Sequence, residues 1–507
     1  MKKMTRLFNR QAIKDLAKMQ LDVARYGNKA DHWSVIKKKK THMDKALKHF
    51  DEFYGDVYGK SWESIRTALL IEEHKYMAVV NSFSDIDRIK SELESHGAMN
   101  LKTIYEIYKE HIDENPLKAN KTKNKQTKNR IKSLISDAEV STVQSHYPID
   151  YVSPPISLST SNETEDIVIE NQGLQPVEMK PIESDLNKIA LDENRIIQPN
   201  AGLSGLYEFV PATKIKGMED WVLESQHYGY YKEGANVLVN IEKEVLLTFP
   251  QYLNIYTFEE NNDSRFPSPK KGSTGVLDYY LLDGASVLPV LALDLQPGDA
   301  VLDMCAAPGG KTLSILQTLM PNIMIANDIQ KSRVNRINKV INQYVAGIGQ
   351  WENRLCVTER DARFIDDKDI YNKILVDVPC TTDRYVLHSE ENNIFKPQRI
   401  QERLKIPELQ AAILTNALKI ISVGGTVVYS TCSLSPIQND GVVSMALKKV
   451  WEETNSILII KDMSEALSPL KCLYKFGNFG LKYGHIAIPT LQNNWGPMYF
   501  CKIVRTR

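Results

Sequence analysis

The chain has 507 residues, of which 25% are charged and 42% hydrophobic, and its 63 Lys and Arg residues equal its 63 Asp and Glu residues. This composition excludes collagen-like, disulfide-rich and wholly disordered proteins. At about 100–200 residues per domain, the length predicts two to four domains, and the zero net charge predicts no protein-wide positive field that would attract nucleic acid.

The six cysteines are widely spaced, and none forms a Cys-x-x-Cys pair. The sequence therefore predicts no cysteine metal site, and unpaired cysteines fit a reducing compartment. No apolar run is long enough to span a bilayer, and no apolar core follows the first lysines. We therefore expect neither a membrane span nor a secretory signal peptide.

Residues 1–40 hold twelve Lys or Arg residues and three acidic residues. A basic helix over Leu7–Val23 would fit a mitochondrial transit peptide. The three acidic residues and the run Lys37–Lys40 fit a solvated basic arm instead. Composition alone leaves both interpretations open.

The composition and the hydrophobic periodicity change several times along the remainder of the chain. Apolar residues recur at spacings of three and four after residue 43, which predicts a helical N-terminal region over 41–114. Residues 115–200 are polar and lysine-rich, as in a low-complexity, partly disordered linker or insertion. Residues 201–260 recover aromatic and β-branched residues, which suggests short strands. From Tyr279 onward, strand, turn and helix alternate, and this predicts an α/β domain with a parallel sheet over 261–507.

A small-residue loop, Cys305–Lys311, separates the predicted strand Ala300–Met304 from a helix. Its end resembles a phosphate-binding P-loop, but that motif needs a glycine where Cys305 stands. An adenosyl cofactor is the alternative. It is favoured by Asp328, because an acid at the end of the next strand can accept hydrogen bonds from ribose hydroxyls. Asp361, after a third predicted strand, is either an adenine contact or a surface acid.

Two cysteines lie just after two successive predicted strands. Cys380 follows the strand Lys373–Val376, and Cys432 follows the strand Thr426–Tyr429. Ligands bind at the carboxyl ends of the strands in open α/β sheets. A single cysteine is usually a small buried hydrophobe, but two beside a cofactor loop indicate chemistry.

These motifs resemble those of the Sun-domain family of RNA cytosine-5 methyltransferases, and the chain is most similar to the mitochondrial ribosomal-RNA member of that family. The motifs that carry the resemblance are Cys305–Lys311, Asp377–Cys380 and Ser430–Ser433. Supporting stretches are Ser264–Pro267, Gly275–Tyr280, Thr381–Arg384, Glu390–Lys396 and Trp495–Phe500. The resemblance is dense over 261–507 and weaker over 43–83.

The chain departs from the family pattern at three places. Val378 stands where the family usually has Ala, although the mitochondrial member also has Val. Gln438-Asn439-Asp440 stands where the family often has Glu-Asn-Glu, and Ala362 replaces a Gly of the mitochondrial member.

The resemblance implies a Rossmann-like sheet that binds S-adenosylmethionine. It implies that Cys432 is the nucleophile that adds to carbon 6 of cytosine, that Cys380 releases the product, and that Asp377 hydrogen-bonds the base. The cofactor residues carried over are Gly309, Gly310, Lys311, Asp328 (ribose), Arg333, Asp361 (adenine) and Asp377. Cys432 must ionise, and Lys311 or a helix N-terminus could lower its pKa. Basic residues that could hold RNA phosphates are Arg265, Lys270, Lys271, Arg384, Arg399 and Arg403.

The implied substrate is a cytosine of mitochondrial small-subunit ribosomal RNA, and the implied location is the mitochondrial matrix. A helical-repeat partner of the mitochondrial transcription termination factor family is implied as well, and no membrane. Two alternatives remain open. The same chemistry could act on a tRNA, or the chain could be a ribosome-assembly scaffold whose methylation is dispensable.

Overall fold

The computed structural model describes residues 41–73, 75–114, 239–259, 262, 264–351 and 353–507. The predicted targeting segment (1–40), the predicted linker (115–200) and residues 201–238 lie outside these ranges. All six cysteines and all the predicted site residues lie within them.

The α-helices of the described residues are α1 (His42–Tyr58), α2 (Trp62–Leu69), α3 (Ile86–Ser95), α4 (Leu101–Glu114), α5 (Val287–Ala292), α6 (Gly310–Leu316), α7 (Lys331–Tyr344), α8 (Asp383–His388), α9 (Ile400–Ile420) and α10 (Val442–Glu453). Within the described ranges, no helix has both the length and the apolarity needed to cross a bilayer.

The β-strands of the described residues are β1 (Tyr76–Val80), β2 (Met99–Asn100), β3 (Asn240–Lys243), β4 (Ile255–Thr257), β5 (Tyr279–Asp283), β6 (Ala300–Asp303), β7 (Ile323–Asn327), β8 (Leu355–Thr358), β9 (Lys373–Asp377), β10 (Thr426–Thr431), β11 (Leu458–Asp462), β12 (Lys475–Gly477), β13 (His485–Ile488) and β14 (Met498–Arg505).

The larger sheet confirms the predicted α/β fold. Its strand order is β12-β13-β14-β10-β9-β6-β7-β8, with β11 also paired to β14 and β3 paired to β11. The five strands from β10 to β8 run parallel, and β14 is antiparallel to β10. All six residues of β10 are buried, as expected for a strand covered on both faces.

The strand order reverses between β6 and β9. From β6 the chain moves outward to β7 and β8, and it then returns to place β9 and β10 on the other side of β6. Such a switch point opens a crevice at the carboxyl ends of the two central strands. The Cys305–Lys311 loop leaves β6 at this crevice, and the Asp377–Cys380 segment leaves β9 there.

A second sheet is antiparallel and has the order β2-β4-β1-β5. Two of its strands, β1 and β2, come from the region predicted to be helical. Met77, Ala78, Val79 and Val80 are at most 1% exposed, and a run buried on both faces does not show the one-sided pattern of a surface helix. Strand pairing thus joins residues 41–114 and 239–259 to the predicted α/β domain (261–507), and the three ranges belong to one compact unit.

Asp440 is a fully buried carboxylate that anchors the turn before β13. Its Oδ2 accepts the backbone N–H groups of Lys482 and Tyr483, and its Oδ1 accepts the N–H of Gly484 at 3.1 Å and the hydroxyl of Tyr499. A carboxylate only accepts hydrogen bonds, so it satisfies several donors at once. Asp440 therefore keeps three backbone donors paired, of which that of Tyr483 is buried.

We expect Asp440→Ala to lower the free energy of unfolding by about 1–3 kcal/mol, the cost of leaving the buried backbone N–H of Tyr483 without its partner. Urea denaturation measures this loss. Asp366→Ala is the control, because Asp366 is exposed and a surface change of this kind shifts stability by about 0.5 kcal/mol at most. Equal stability of the two variants would contradict the anchoring role.

Candidate active site

The two cysteines that the sequence analysis identified as candidate catalytic residues lie in contact at the crevice. Cys380 Sγ and Cys432 Sγ lie 3.0 Å apart, and both side chains are partly buried. The contact follows from strand register, because β9 and β10 pair in parallel with Asp377 beside Ser430. Each cysteine follows that register pair by two or three residues. All six cysteines are free, so the pair is two thiols.

Lys311 and Asp377 form an ion pair across the switch point. Lys311 Nζ lies 2.8 Å from Asp377 Oδ2, and the Ser430 hydroxyl donates to Asp377 Oδ1 at 2.7 Å. Burial lowers the pKa of Lys311, but the charge of Asp377 and its hydrogen bond outweigh burial and raise that pKa overall. Lys311 therefore remains an ammonium and fixes the carboxylate beside the cysteines.

Cys432 does not have the lowered pKa that its role would need. The hydrogen bond with Cys380 is the main cause that raises the pKa of Cys432, burial is the second, and the charge of Lys311 opposes them only in part. Lys311 therefore acts in the expected direction and lowers the pKa of Cys432, but Cys380 and burial outweigh it. The contact with Cys380 thus favours the thiol form of Cys432, and separating the two sulfurs would lower the pKa of Cys432.

Cys432 lines a cavity of about 500 Å³, within the range of small-molecule pockets. Its walls come from distant parts of the chain, namely Glu72, Asp283, Ser286, Thr382, Arg384, Tyr385, His388, Gly496, Pro497 and Met498. Sequence reasoning missed Glu72, Asp283 and Ser286 as pocket residues, because no local motif marks them. Asp283 accepts the backbone N–H of Gly496 at 3.1 Å and so holds the far wall in place.

The cofactor loop has the geometry expected of a close ligand approach. Gly309 has a φ of 109°, which favours glycine. A Cβ on Gly310 would lie 3.0 Å from Leu282 Cδ1 and 3.1 Å from Tyr280 Cε1. A larger residue at Gly310 would need the side chains of Leu282 and Tyr280 to shift, so the glycine lets the loop pack closely against β5.

Asp328 and Arg333 meet this loop from the end of β7. Arg333 donates to the carbonyl oxygen of Ala307 at 3.1 Å, and its Nε lies 3.3 Å from Asp328 Oδ2. Asp328 is 2% exposed, yet this oxygen has no aligned hydrogen bond. A buried acceptor without a partner beside a glycine loop fits a ligand that brings hydroxyl donors. The residues present thus fit the implied adenosyl cofactor.

Asp303 is a buried carboxyl that sequence reasoning had identified only as the end of a strand. Thr312 donates to its Oδ2 at 2.6 Å, while its Oδ1 is buried without a hydrogen-bond partner. Burial raises the pKa of Asp303 to about 7. Asp303 therefore adds a second polar group beneath the cofactor loop.

The carboxylate of Asp361, the predicted adenine contact, is already engaged by a neighbouring arginine. Arg363 binds both of its carboxylate oxygens, with Nη2 at 2.6 Å from Oδ2, and holds its pKa below the usual range. An adenine contact would have to replace this ion pair, so it stays a prediction. Asp361 also caps the short turn that follows it.

The guanidinium of Arg384 donates to the carbonyl oxygens of Gly496 at 2.9 Å and of Asn494 at 3.2 Å. A phosphate would have to compete with these bonds, so the phosphate contact of Arg384 stays a prediction. Arg265 and Arg399 pair with nearby acidic side chains. Among the residues that the structure describes, no group of three or more His, Cys, Asp or Glu side chains is placed to hold a metal ion.

Comparisons with known proteins identify the family of the chain. Residues 290–469 match the family model described as 16S rRNA methyltransferase RsmB/F. The 5-cytosine rRNA methyltransferase nsun-4 of Caenorhabditis elegans is 32% identical over 489 residues, which cover 93% of this chain and 96% of that protein.

Two mouse (Mus musculus) proteins are similar over half of the chain. The 5-cytosine rRNA methyltransferase NSUN4 is 46% identical over 255 residues, covering 50% of this chain and 67% of that protein. The mitochondrial tRNA (cytosine(34)-C(5))-methyltransferase is 33% identical over 257 residues, covering 50% of this chain and 71% of that protein. The chain therefore belongs to the Sun-domain family of RNA cytosine-5 methyltransferases, the family described by the 16S rRNA methyltransferase RsmB/F model.

Proposed function

We propose that this protein methylates carbon 5 of a cytosine in ribosomal RNA, with S-adenosylmethionine as the methyl donor. The observation that carries the proposal is the thiol pair Cys380–Cys432, which lies 3.0 Å apart at the crevice that also contains the Lys311–Asp377 ion pair. The rRNA methyltransferase names of its relatives in worm and mouse support the same reaction.

The cofactor would lie over the glycine loop. Gly309 and Gly310 form the tight turn of that loop. Asp328 offers a buried oxygen that has no hydrogen bond although Arg333 lies 3.3 Å away, and Arg333 also binds the loop at Ala307. Lys311 and Asp377 border the end of the site nearest the cysteines, and Asp361 is the further proposed contact, to adenine. S-adenosylmethionine, when bound, supplies an electrophilic methyl group.

Cys432 would activate the base. Carbon 5 of cytosine is a weak nucleophile, and addition of the Cys432 thiolate to carbon 6 converts the ring to an enamine whose carbon 5 can attack an electrophile. Asp377 would hydrogen-bond the ring near nitrogen 3, and Lys311 holds that carboxylate at 2.8 Å. The cytosine has to leave its stack to reach the sulfur, and the 500 Å³ cavity beside Cys432 could receive it.

Cys380 would act in release. After methyl transfer, a base or a water molecule takes the proton of carbon 5, and the electron pair of that C–H bond restores the ring double bond. The bond between carbon 6 and the Cys432 sulfur breaks at the same time and leaves its electron pair on the sulfur as a thiolate. Cys380 Sγ is already in contact with that sulfur, so it is placed to assist the departure. In the resting protein, the same contact keeps Cys432 protonated.

For the finer assignment, we propose mitochondrial small-subunit ribosomal RNA as the substrate, the mitochondrial matrix as the location, and support of mitoribosome assembly as the role. A partner of the mitochondrial transcription termination factor family would help to engage the RNA. The mouse mitochondrial tRNA enzyme supports the location, and it keeps a tRNA substrate as the alternative. The intact thiol pair argues against a scaffold with dispensable methylation.

Bisulfite sequencing of mitochondrial small-subunit ribosomal RNA, with and without this protein, tests the function. We expect one cytosine to lose its methylation when the protein is absent. Wild type should restore the mark, and Cys432→Ala should not, because loss of a nucleophile typically lowers the rate by roughly a thousandfold or more.

A lost mark in a tRNA would instead support the tRNA alternative. Full rescue of ribosome assembly by Cys432→Ala would support the scaffold. Unchanged cytosine methylation in all of these RNAs would refute the proposed function.

Cys380→Ala should trap a covalent enzyme–RNA adduct, because addition by Cys432 proceeds while release is impaired. The adduct appears as a slowly migrating band on a denaturing gel. Cys356→Ala is the matched control, since Cys356 is an exposed thiol on β8 and its loss should give no band. The double variant Cys380→Ala/Cys432→Ala should also give none, and full activity of both single variants would show that the assigned roles are wrong.

Without RNA, Cys380→Ala should lower the pKa of Cys432, because it removes the main cause that raises it. A lower pKa means more thiolate at neutral pH, and thiolate is the form that reacts. We therefore expect iodoacetamide to alkylate Cys432 faster in Cys380→Ala than in the wild type at pH 7.5. Mass spectrometry follows the rate, with Cys356 as the internal reference. An unchanged pH profile for Cys432 would refute the inhibitory role of Cys380.

A further inference from the structure

Asp383 is a buried carboxylate that joins the two cysteine loops. It is the first residue of α8, three positions after Cys380, and it is fully buried. Burial raises the pKa of its carboxyl, and the hydrogen bonds it accepts oppose that rise. A carboxylate in such a place is costly unless several donors satisfy it.

The donors come from three separate segments. Thr381, next to Cys380, donates to Asp383 Oδ1 at 2.5 Å. Ser433, next to Cys432, lies 3.2 Å from each carboxylate oxygen, and the backbone N–H of Leu434 donates to Oδ2 at 2.7 Å. The hydroxyls of Thr381 and Ser433 are themselves 2.9 Å apart. One carboxylate thus holds the immediate neighbours of both thiols.

The third segment is helix α1. The Tyr54 hydroxyl donates to Asp383 Oδ2 at 2.8 Å, and Tyr54 itself is 2% exposed. One turn further along the helix, Tyr58 donates to the carbonyl oxygen of Leu434 at 2.6 Å. An N-terminal helix more than three hundred residues away in sequence therefore braces the loop that carries Cys432.

We propose that Asp383 is a positioning residue for methyl transfer, and that Tyr54 of α1 assists it. Both act through the loops that they hold and touch no reacting atom. Because Thr381 and Ser433 adjoin the two cysteines, a shift of the carboxylate passes directly to both sulfurs. A displacement of about 1 Å can cost roughly a hundredfold in rate. The effect on methyl transfer rests on the proposed function, whereas the effect on thiol spacing does not.

Asp383→Asn tests the proposal, because it keeps the volume of the side chain while replacing one acceptor oxygen by a donor. We expect kcat for methyl transfer to fall roughly a hundredfold. KM for S-adenosylmethionine should stay within about twofold, because Asp383 makes none of its hydrogen bonds to the glycine loop. Tyr54→Phe removes a single hydroxyl and should lower kcat about fivefold in the same direction.

Asp440→Asn is the matched control. Asp440 is also fully buried and also accepts backbone and hydroxyl donors, but the turn that it holds carries no cysteine. At a temperature where both variants are folded, Asp440→Asn should keep kcat within about threefold of wild type. An equal loss of kcat in the two variants would show that Asp383 matters only for stability, and it would overturn the proposal.

A second readout is independent of catalysis. Dibromobimane, which bridges two nearby thiols, should link Cys380 to Cys432 rapidly in the RNA-free wild type, as peptide mapping would show. Asp383→Asn should slow this bridging at least fivefold. Slower bridging together with an inactive wild type would refute the proposed function and leave the positioning role standing.

Unchanged kcat and unchanged bridging in Asp383→Asn, with an active wild type, would refute the positioning role alone. If Asp383→Asn does not fold, Tyr54→Phe decides the matter. A lower kcat with slower bridging supports the proposal, and wild-type values of both overturn it.

Discussion

The parallel pairing of β9 with β10 is the constraint on which the site depends. It sets Asp377 beside Ser430, and from that register the two chains leave the sheet together with a cysteine a few residues along each. A slip of one residue would turn the side chains of one strand to the opposite face, and the thiols would separate. Five backbone-paired positions join the two strands, and nearly every residue of both strands is buried.

Around this pair, two opposing electrostatic effects are balanced. Lys311 favours the thiolate of Cys432, while Cys380 and burial favour the thiol, and the latter prevail. The arrangement therefore describes a resting state that protects the nucleophile rather than one ready to react. A cytosine that separates the two sulfurs would occupy the cavity. It would also remove the hydrogen bond that is the main cause of the raised pKa of Cys432. In this interpretation, substrate binding and activation of the nucleophile are one event.

The parallel strands could be predicted from sequence because buried parallel strands are continuous apolar runs. The strand predicted as Thr426–Tyr429 is observed as Thr426–Thr431, and Leu355–Thr358 is observed with the same bounds. The family was also predicted correctly, since its motifs are contiguous. The predicted helical region over 41–114 proved to contain β1, whose buried run is too short to tell from a helix by periodicity.

The features that sequence reasoning missed are contacts between residues that lie far apart in the sequence. Tyr54 and Asp383 are 329 positions apart, and no sequence motif contains both residues. Asp383 does lie in the stretch Thr381–Arg384, which had been noted for its resemblance, and this was the available signal. The raised pKa of Cys432 could not be foreseen either, because its sign depends on a contact between two loops.

The antiparallel sheet has a consequence for how the chain can vary. Strands β1 and β2 precede residues 115–238 and β4 follows them, yet they are neighbours in the sheet. The backbone N–H of Leu247 also donates to the Tyr105 hydroxyl of α4 at 3.1 Å. The two points where the intervening stretch departs and returns are thus fastened to each other. For a flexible loop, each doubling of length costs only about 0.6 kcal/mol in closure entropy. The closed sheet can therefore tolerate changes in the length of chain that joins its strands while the thiols stay where they are.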